Sequence, residues 1–304
     1  LWDDFEGEQH VVDAPVGSPV VGQYTRIGVT KYSGQQCYRG GRCAHSSIVN
    51  DSTVPGLVAN WIPLEARNSF ASMKVKIISS YGTIAPHNIK LLRLNAHVPD
   101  DDATHGYPNY NLGKERSALS IYGIINHGAM GQISFGPGAA LPNPSGWNNV
   151  SIWDHMGDPD ATNGWVGYTF GSVRAESTHD KITRMSREGH LSGIRSAYFC
   201  GYISYEGYDV DLFLDDLYAD TSLARIEVQT GGGNYEMQLP TGWSDDSISF
   251  TANTGLYAEG TQVQLVVYDL NGSPSAPFNL EVGRTYSADA LPPAAPGNLR
   301  QVAN

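Results

Sequence analysis

Apolar and polar residues alternate along much of this 304-residue chain, in short runs closed by glycine, proline or asparagine. A period of two sends successive side chains to opposite faces of a strand. The clearest run covers residues 69–79, where Phe70, Met73, Val75, Ile77 and Ile78 give strong β patterning. Residues 88–94 follow as its expected partner. The same reading predicts strands over 1–8, 24–31, 42–49, 117–126, 131–135, 147–154, 165–170, 194–204 and 210–219. Asn163-Gly164 marks the tightest turn, joining 147–154 to 165–170. No window holds a helical apolar period for three turns. Residues 175–189 come nearest and are too polar to bury a face. The pattern therefore predicts an all-β chain of many short strands, a jelly-roll β-sandwich over 1–221.

Thr221-Ser222 reads as a hinge. Strands are expected beyond it at 224–228, 247–252, 261–268 and 277–282, with Trp243 and Tyr257 as aromatic anchors. That segment, 222–284, is too short for a second jelly roll and fits a small Ig-like β-sandwich. Residues 285–304 form a proline-rich tail around Leu291-Pro292-Pro293-Ala294-Ala295-Pro296, expected to be extended. Its few apolar groups cannot make a core, so it is expected to dock on its own chain or on a neighbouring copy.

One run changes the picture. Val210, Leu212 and Leu214 alternate with acidic and aromatic residues, and then Asp215 and Asp216 stand side by side. Neighbours on a regular strand face opposite ways, so one of the pair is expected to point inward, where an unpaired carboxylate is costly. A bound cation relieves that cost, and oxygen-ligated calcium suits it. The chain opens with a second acidic group, Asp3, Asp4, Glu6 and Glu8. The first and last strands of the large domain are thus expected to lie together with a cation between them, held by Glu6, Asp215 and Asp216.

The opening Asp4-Phe5-Glu6 and the closing Leu214-Asp215-Asp216-Leu217-Tyr218 resemble the concanavalin-A-like and carbohydrate-binding-module jelly rolls. Tyr38-Arg39-Gly40-Gly41-Arg42-Cys43-Ala44 resembles their second strand. Gly146-Trp147-Asn148-Asn149-Val150 with Asn163-Gly164-Trp165 resembles a hairpin of laminin-G-like and lyase-like sandwiches. The resemblance implies a β-sandwich over about three quarters of the chain. It also implies a structural calcium between an early Glu and a late Asp, here Glu6 and Asp216.

Composition narrows the function. Gly 34, Pro 17 and only 16% charged residues suit strands and turns. A net charge of −12 argues against nucleic acid, which needs basic patches. It also disfavours a strongly anionic substrate unless calcium bridges the two. No apolar run approaches the roughly 18 residues of a membrane span. Leu1 in place of an initiator Met suggests processing or a fragment, and an extracellular location is expected. Of the three cysteines, Cys37 and Cys43 flank a Gly-Gly turn that can bring them within disulfide distance. Cys200 reads as a small buried hydrophobe.

Known nucleophile elbows, phosphate loops and zinc pairs are absent from the sequence. So is the Glu-x-Asp-x-x-Glu strand of glucanases in the resembling group. Lyases of similar fold use a Tyr or His base, with Arg, Asn or Gln neutralising a carboxylate. Tyr122, Tyr168, His127, His155, Arg93 and Arg116 could supply that chemistry. Glycan binding needs less: an aromatic platform beside polar groups. Trp61, Tyr107, Tyr110, Trp153 and Trp165 are the candidates, although each also suits a core position. The leading expectation is a secreted, non-catalytic, calcium-stabilised glycan binder at a cell surface. An extracellular fibre or coat subunit assembling through its tail is the second, and a polysaccharide lyase the third.

Overall fold

The computed structural model describes residues 1–6, 24–27, 30–49, 57–60, 66–79, 89–95, 109–115, 118–123, 133–139, 146–171, 173–180, 183, 193–203, 209–231 and 234–285. Every regular element among them is a β-strand. In chain order these begin with β1 (Trp2–Asp3), β2 (Tyr24–Ile27), β3 (Lys31–Ser33), β4 (Cys43–Val49), β5 (Leu57–Asn60), β6 (Asn68–Ser79) and β7 (Ile89–Asn95). There follow β8 (Asn109–Glu115), β9 (Ala118–Gly123), β10 (Ile133–Ala139), β11 (Trp147–His155), β12 (Trp165–Phe170) and β13 (Val173–Glu176). Then come β14 (Ser196–Ile203), β15 (Asp209–Asp220), β16 (Arg225–Gln229), β17 (Tyr235–Trp243), β18 (Ile248–Thr251), β19 (Gln262–Tyr268) and β20 (Phe278–Glu281).

The chain divides into two compact units, Leu1–Thr221 and Ser222–Asn304. The first is a jelly-roll sandwich of two antiparallel sheets. Sheet A runs β13-β12-β11-β6-β15-β4-β3, with β1 also paired to β15. Sheet B runs β10-β9-β8-β7-β14-β5-β2. The chain crosses repeatedly between the two sheets, so sequence neighbours such as β5, β6 and β7 fall on alternate layers.

The two-residue period builds the core between the sheets. Ala71, Met73, Val75 and Ile77 of β6, Val150 and Ile152 of β11, and Leu212 and Leu214 of β15 line sheet A. Leu92 and Leu94 of β7, Ala197 and Phe199 of β14 and Leu57 of β5 face them from sheet B. Each large side chain fully buried there contributes about 1.5–3 kcal/mol. That fixes the register, because a slip of one residue would turn the whole set outward.

A bulge stands where Asp215 and Asp216 lie side by side. Asp215 lies opposite Lys74, but Tyr218 lies opposite Ser72, so three steps on β15 span two on β6. Asp216 takes the left-handed conformation, with φ 46°. The bulge absorbs the extra residue. Leu214 and Leu217 both reach the core, and the two aspartates between them are buried as well. Just past the bulge β1 pairs with β15, placing Trp2 opposite Tyr218 and Asp3 opposite Leu217.

The second unit is built on a five-stranded antiparallel sheet of order β18-β17-β16-β19-β20. Its β17 pairs with β16 through Tyr235–Gln238 and with β18 through Leu239–Trp243. A buried Arg225 lies 2.7 Å from Glu227 and 3.6 Å over the Tyr268 ring, so this sheet holds its charge paired and covered.

Candidate functional site

The outer face of sheet B carries one polar row across its strands. Ala197 and Phe199 of β14 point into the core, so Ser196 and Tyr198 belong to the opposite face. Tyr198 lies opposite Arg93, Arg93 opposite Asn111, and Asn111 opposite Tyr122. Residues directly opposite across a ladder share a face. The register carries the row on to Ser134 at one end, and to Val58 and Arg26 at the other. Seven strands at about 4.8 Å spacing make it roughly 29 Å long, enough for several sugar rings.

At its centre Arg93 is half-buried, with its guanidinium 5.3 Å from the centroid of the Tyr198 ring. Tyr198 is almost covered. Two flanking rows share the face. Asn95 lies opposite Ser196 and Asn109, and the Ser196 hydroxyl donates to the Asn95 carbonyl at 3.2 Å. On the other side Lys90 lies opposite Tyr202 and Gly113, past a register shift. By register, sheet B brings together three cationic residues (Arg93, Lys90, Arg26), three asparagines (Asn95, Asn109, Asn111) and three tyrosines (Tyr198, Tyr122, Tyr202) in these rows.

The outer face of sheet A carries a different layer. The Trp165 ring stacks on His179 at 4.7 Å and on His155 at 5.9 Å. Trp153 stacks on Phe70 at 6.4 Å, lies under Arg174 and donates its Nε1 hydrogen to Glu176 at 3.0 Å. His155 Nδ1 lies 2.6 Å from Asn68 Oδ1, and His179 Nε2 lies 2.8 Å from Glu176 Oε1. Burial lowers the His155 pKa, helped by Arg67 and His179. Trp153 and Trp165, expected as open platforms, are 2% and 6% exposed, because their faces are taken by these neighbours. On the core side of the same strands, burial pushes the Asp154 carboxyl well above the usual range.

The remaining candidates lie apart. Tyr110 of β8 takes the register position opposite Leu94, a core residue, and not the Arg93 row. Tyr168 is buried in the core. Trp61, Tyr107, Arg116 and His127 fall outside the described residues, as does the tail beyond 285. Asn111, Tyr198, Lys90 and Tyr202 were not singled out in the sequence. The signal for Tyr198 was its place between the apolar Ala197 and Phe199.

Glu6, Asp215 and Asp216 do come together, at the end of β15. A cation lies among them, and it is the Arg39 guanidinium. Its Nη2 is 2.9 Å from Asp216 Oδ1 and 3.3 Å from Asp4 Oδ2. Burial works against the charge, but Asp216, Asp4 and Asp215 outweigh it and hold the Arg39 pKa above its ordinary value. Glu6 accepts the Gly41 and Arg42 N–H groups, each at 3.2 Å. Asp215 accepts the Tyr38 N–H at 3.1 Å and the Asp216 N–H at 2.9 Å. Burial, then the Asp216 charge, pushes the Asp215 carboxyl well up. The loop that carries these donors is closed by the Cys37–Cys43 disulfide. A calcium ion needs six to eight converging oxygens. These carboxylates are turned to N–H donors and a guanidinium instead, and among the described residues no three His, Cys, Asp or Glu side chains are placed to hold a metal. The donor set does not fit the expected calcium.

No protein-family model and no curated protein sequence matches the chain. Solved structures align with it, each at a TM-score below 0.5. The endo-β-1,4-glucuronan lyase of the fungus Trichoderma reesei aligns at TM-score 0.49 and 10% identity, over 74% of this chain and 96% of that one. The alginate lyase vAL-1 from Chlorella virus gives 0.48 and 9%, over 69% and 99%. The cellulose-induced protein Cip1 gives 0.43 and 10%, over 73% and 97%. At these identities the likeness extends to the fold alone. The expectation of a non-catalytic glycan binder is corrected here. The neighbours named first are polysaccharide lyases, which runs against that expectation.

Proposed function

We propose that the large unit is a polysaccharide lyase acting on uronate-containing chains at the outer face of sheet B. The observation that carries this reading is the cross-strand row Tyr198, Arg93, Asn111, Tyr122. β-Elimination from a uronate begins with loss of the proton on the carbon bearing the carboxylate. That proton is acidic only when the carboxylate's charge is neutralised and the developing enolate is stabilised. Arg93 supplies the cation, and Asn111 stands beside it in register to donate a hydrogen bond. Tyr198 and Tyr122 flank the pair as the proton acceptor and the donor to the departing glycosidic oxygen, roles that general acid–base groups fill at hydrogen-bond distance. Electrons pass from the C–H bond into the new double bond, and the leaving oxygen takes a proton.

The row also answers the charge objection. The chain carries −12 overall, yet Arg93, Lys90 and Arg26 all hold register positions on this one sheet. An anionic chain can be drawn to that local field. We read the second unit as a small Ig-like module accompanying the catalytic one, and the Cys37–Cys43 disulfide as favouring an extracellular location. Arg93→Ala and Tyr198→Phe test the assignment. Each is expected to lower kcat/KM on a cleaved polyuronate by about 10²–10⁴-fold with the melting curve retained. Folded variants with wild-type activity would overturn it.

A further inference from the structure

We infer that Arg39 is the resident cation of the carboxylate cluster at the end of β15, occupying the place a divalent metal was expected to take. The cluster joins three separate parts of the large unit. Asp4 and Glu6 follow β1, Asp215 and Asp216 form the bulge of β15, and Arg39 sits on the loop between β3 and β4. One guanidinium bridges the first and last of these, with two nitrogens toward Asp216 and Nη2 also reaching Asp4. A planar fork suits carboxylates at two angles, which a spherical ion does not need.

The loop is shaped to deliver it. Gly40 has φ 63°, open to glycine at little cost. A Cβ there would collide with the Glu6 carboxylate, so the backbone lies directly on that side chain. Glu6 is held by two backbone N–H groups and Asp215 by two more. Phe5 and Asp216 are both in the left-handed region, with φ 57° and 46°. Such conformations persist only where the surroundings impose them. The disulfide at Cys37 and Cys43 closes the loop on both sides of Arg39. For a calcium ion to bind Asp216, it must displace the guanidinium. Tethering gives the arginine a high effective concentration at the cluster, so calcium must compete against it.

Melting curves and calcium titration test this. Wild-type protein dialysed against chelator is expected to melt at the same Tm as protein in excess calcium chloride. Calorimetric titration of the dialysed protein with calcium is expected to show no saturable binding at the cluster. Arg39→Ala is expected to melt roughly 5 °C or more lower, since a largely buried carboxylate loses its partner. Calcium should then raise the Tm of that variant, because the vacated carboxylates are free to bind it. Arg39→Lys keeps the charge without the fork and should fall between the two. A wild-type Tm that drops on chelation and recovers with calcium would overturn the inference. So would saturable calcium binding by the wild type, or an Arg39→Ala variant as stable as the wild type. The two wild-type measurements decide the matter even if Arg39→Ala does not fold.

Discussion

Replacing Asp154 by Asn should stabilise the large unit at neutral pH. Asp154 is fully buried on the core side of β11, level with Val166 and Ser69. Burial holds its carboxyl pKa well above the usual value, and neither carboxylate oxygen has a hydrogen-bond partner among the described residues. In the unfolded chain an Asp titrates near 3.9. Between that pH and the folded pKa, the native state binds the proton that the unfolded state has released. Stability then falls as pH rises through this window. Each pH unit within that window costs about 1.4 kcal/mol. At pH 7 the cost cannot exceed about 4 kcal/mol, the whole span from 3.9 to 7. Asn has nearly the same shape and carries no charge at any pH. Asp154→Asn should therefore raise the stability at pH 7, by no more than about 4 kcal/mol, and the gain should vanish below about pH 4. Scanning calorimetry of both proteins from pH 3.5 to 8 makes the comparison. A variant less stable than wild type at pH 7, or a gain that does not change with pH, would refute the reasoning.

Two further outcomes follow from the packing. Gly167 lies opposite Trp153, and a Cβ there would run into the indole ring. Gly167→Ala should destabilise the unit by about 1–3 kcal/mol in urea unfolding, and a neutral result would mean that Trp153 is free to move. Cys37→Ser should cost about 2 kcal/mol by opening the loop that carries Arg39, with non-reducing unfolding curves as the readout.

The strands with clean alternation were legible in the sequence, and the site was not. Val75 and Ile77 on β6, Leu212 and Leu214 on β15, and the Asn163-Gly164 turn all announce themselves locally. β8 does not, because Asn109, Asn111, Lys114 and Glu115 leave only a weak apolar face. β17 was hidden by Pro240 and Gly242, which sit where it bends from β16 to β18. The bulge at Asp216 inverts a parity argument that holds for any regular strand. Arg93 and Tyr122 were among the residues considered for lyase chemistry, but nothing local joins them. Their union through Asn111 depends on pairing between β7, β8 and β9, and Tyr198 enters from a strand far along the chain. The acidic groups at the two ends were legible as a cluster. Their cation was not, since Arg39 reaches them only through the fold of a disulfide loop.

The most direct test of the catalytic reading is the chemistry of the products. Wild-type protein would be incubated with a panel of polyuronates and with neutral glucans, and the products weighed by mass spectrometry. Elimination predicts oligosaccharides from a polyuronate that carry a new ultraviolet-absorbing double bond and are lighter by one water than hydrolysis products. No cleavage of any uronate chain by folded protein, or fragments that have gained water, would contradict the account.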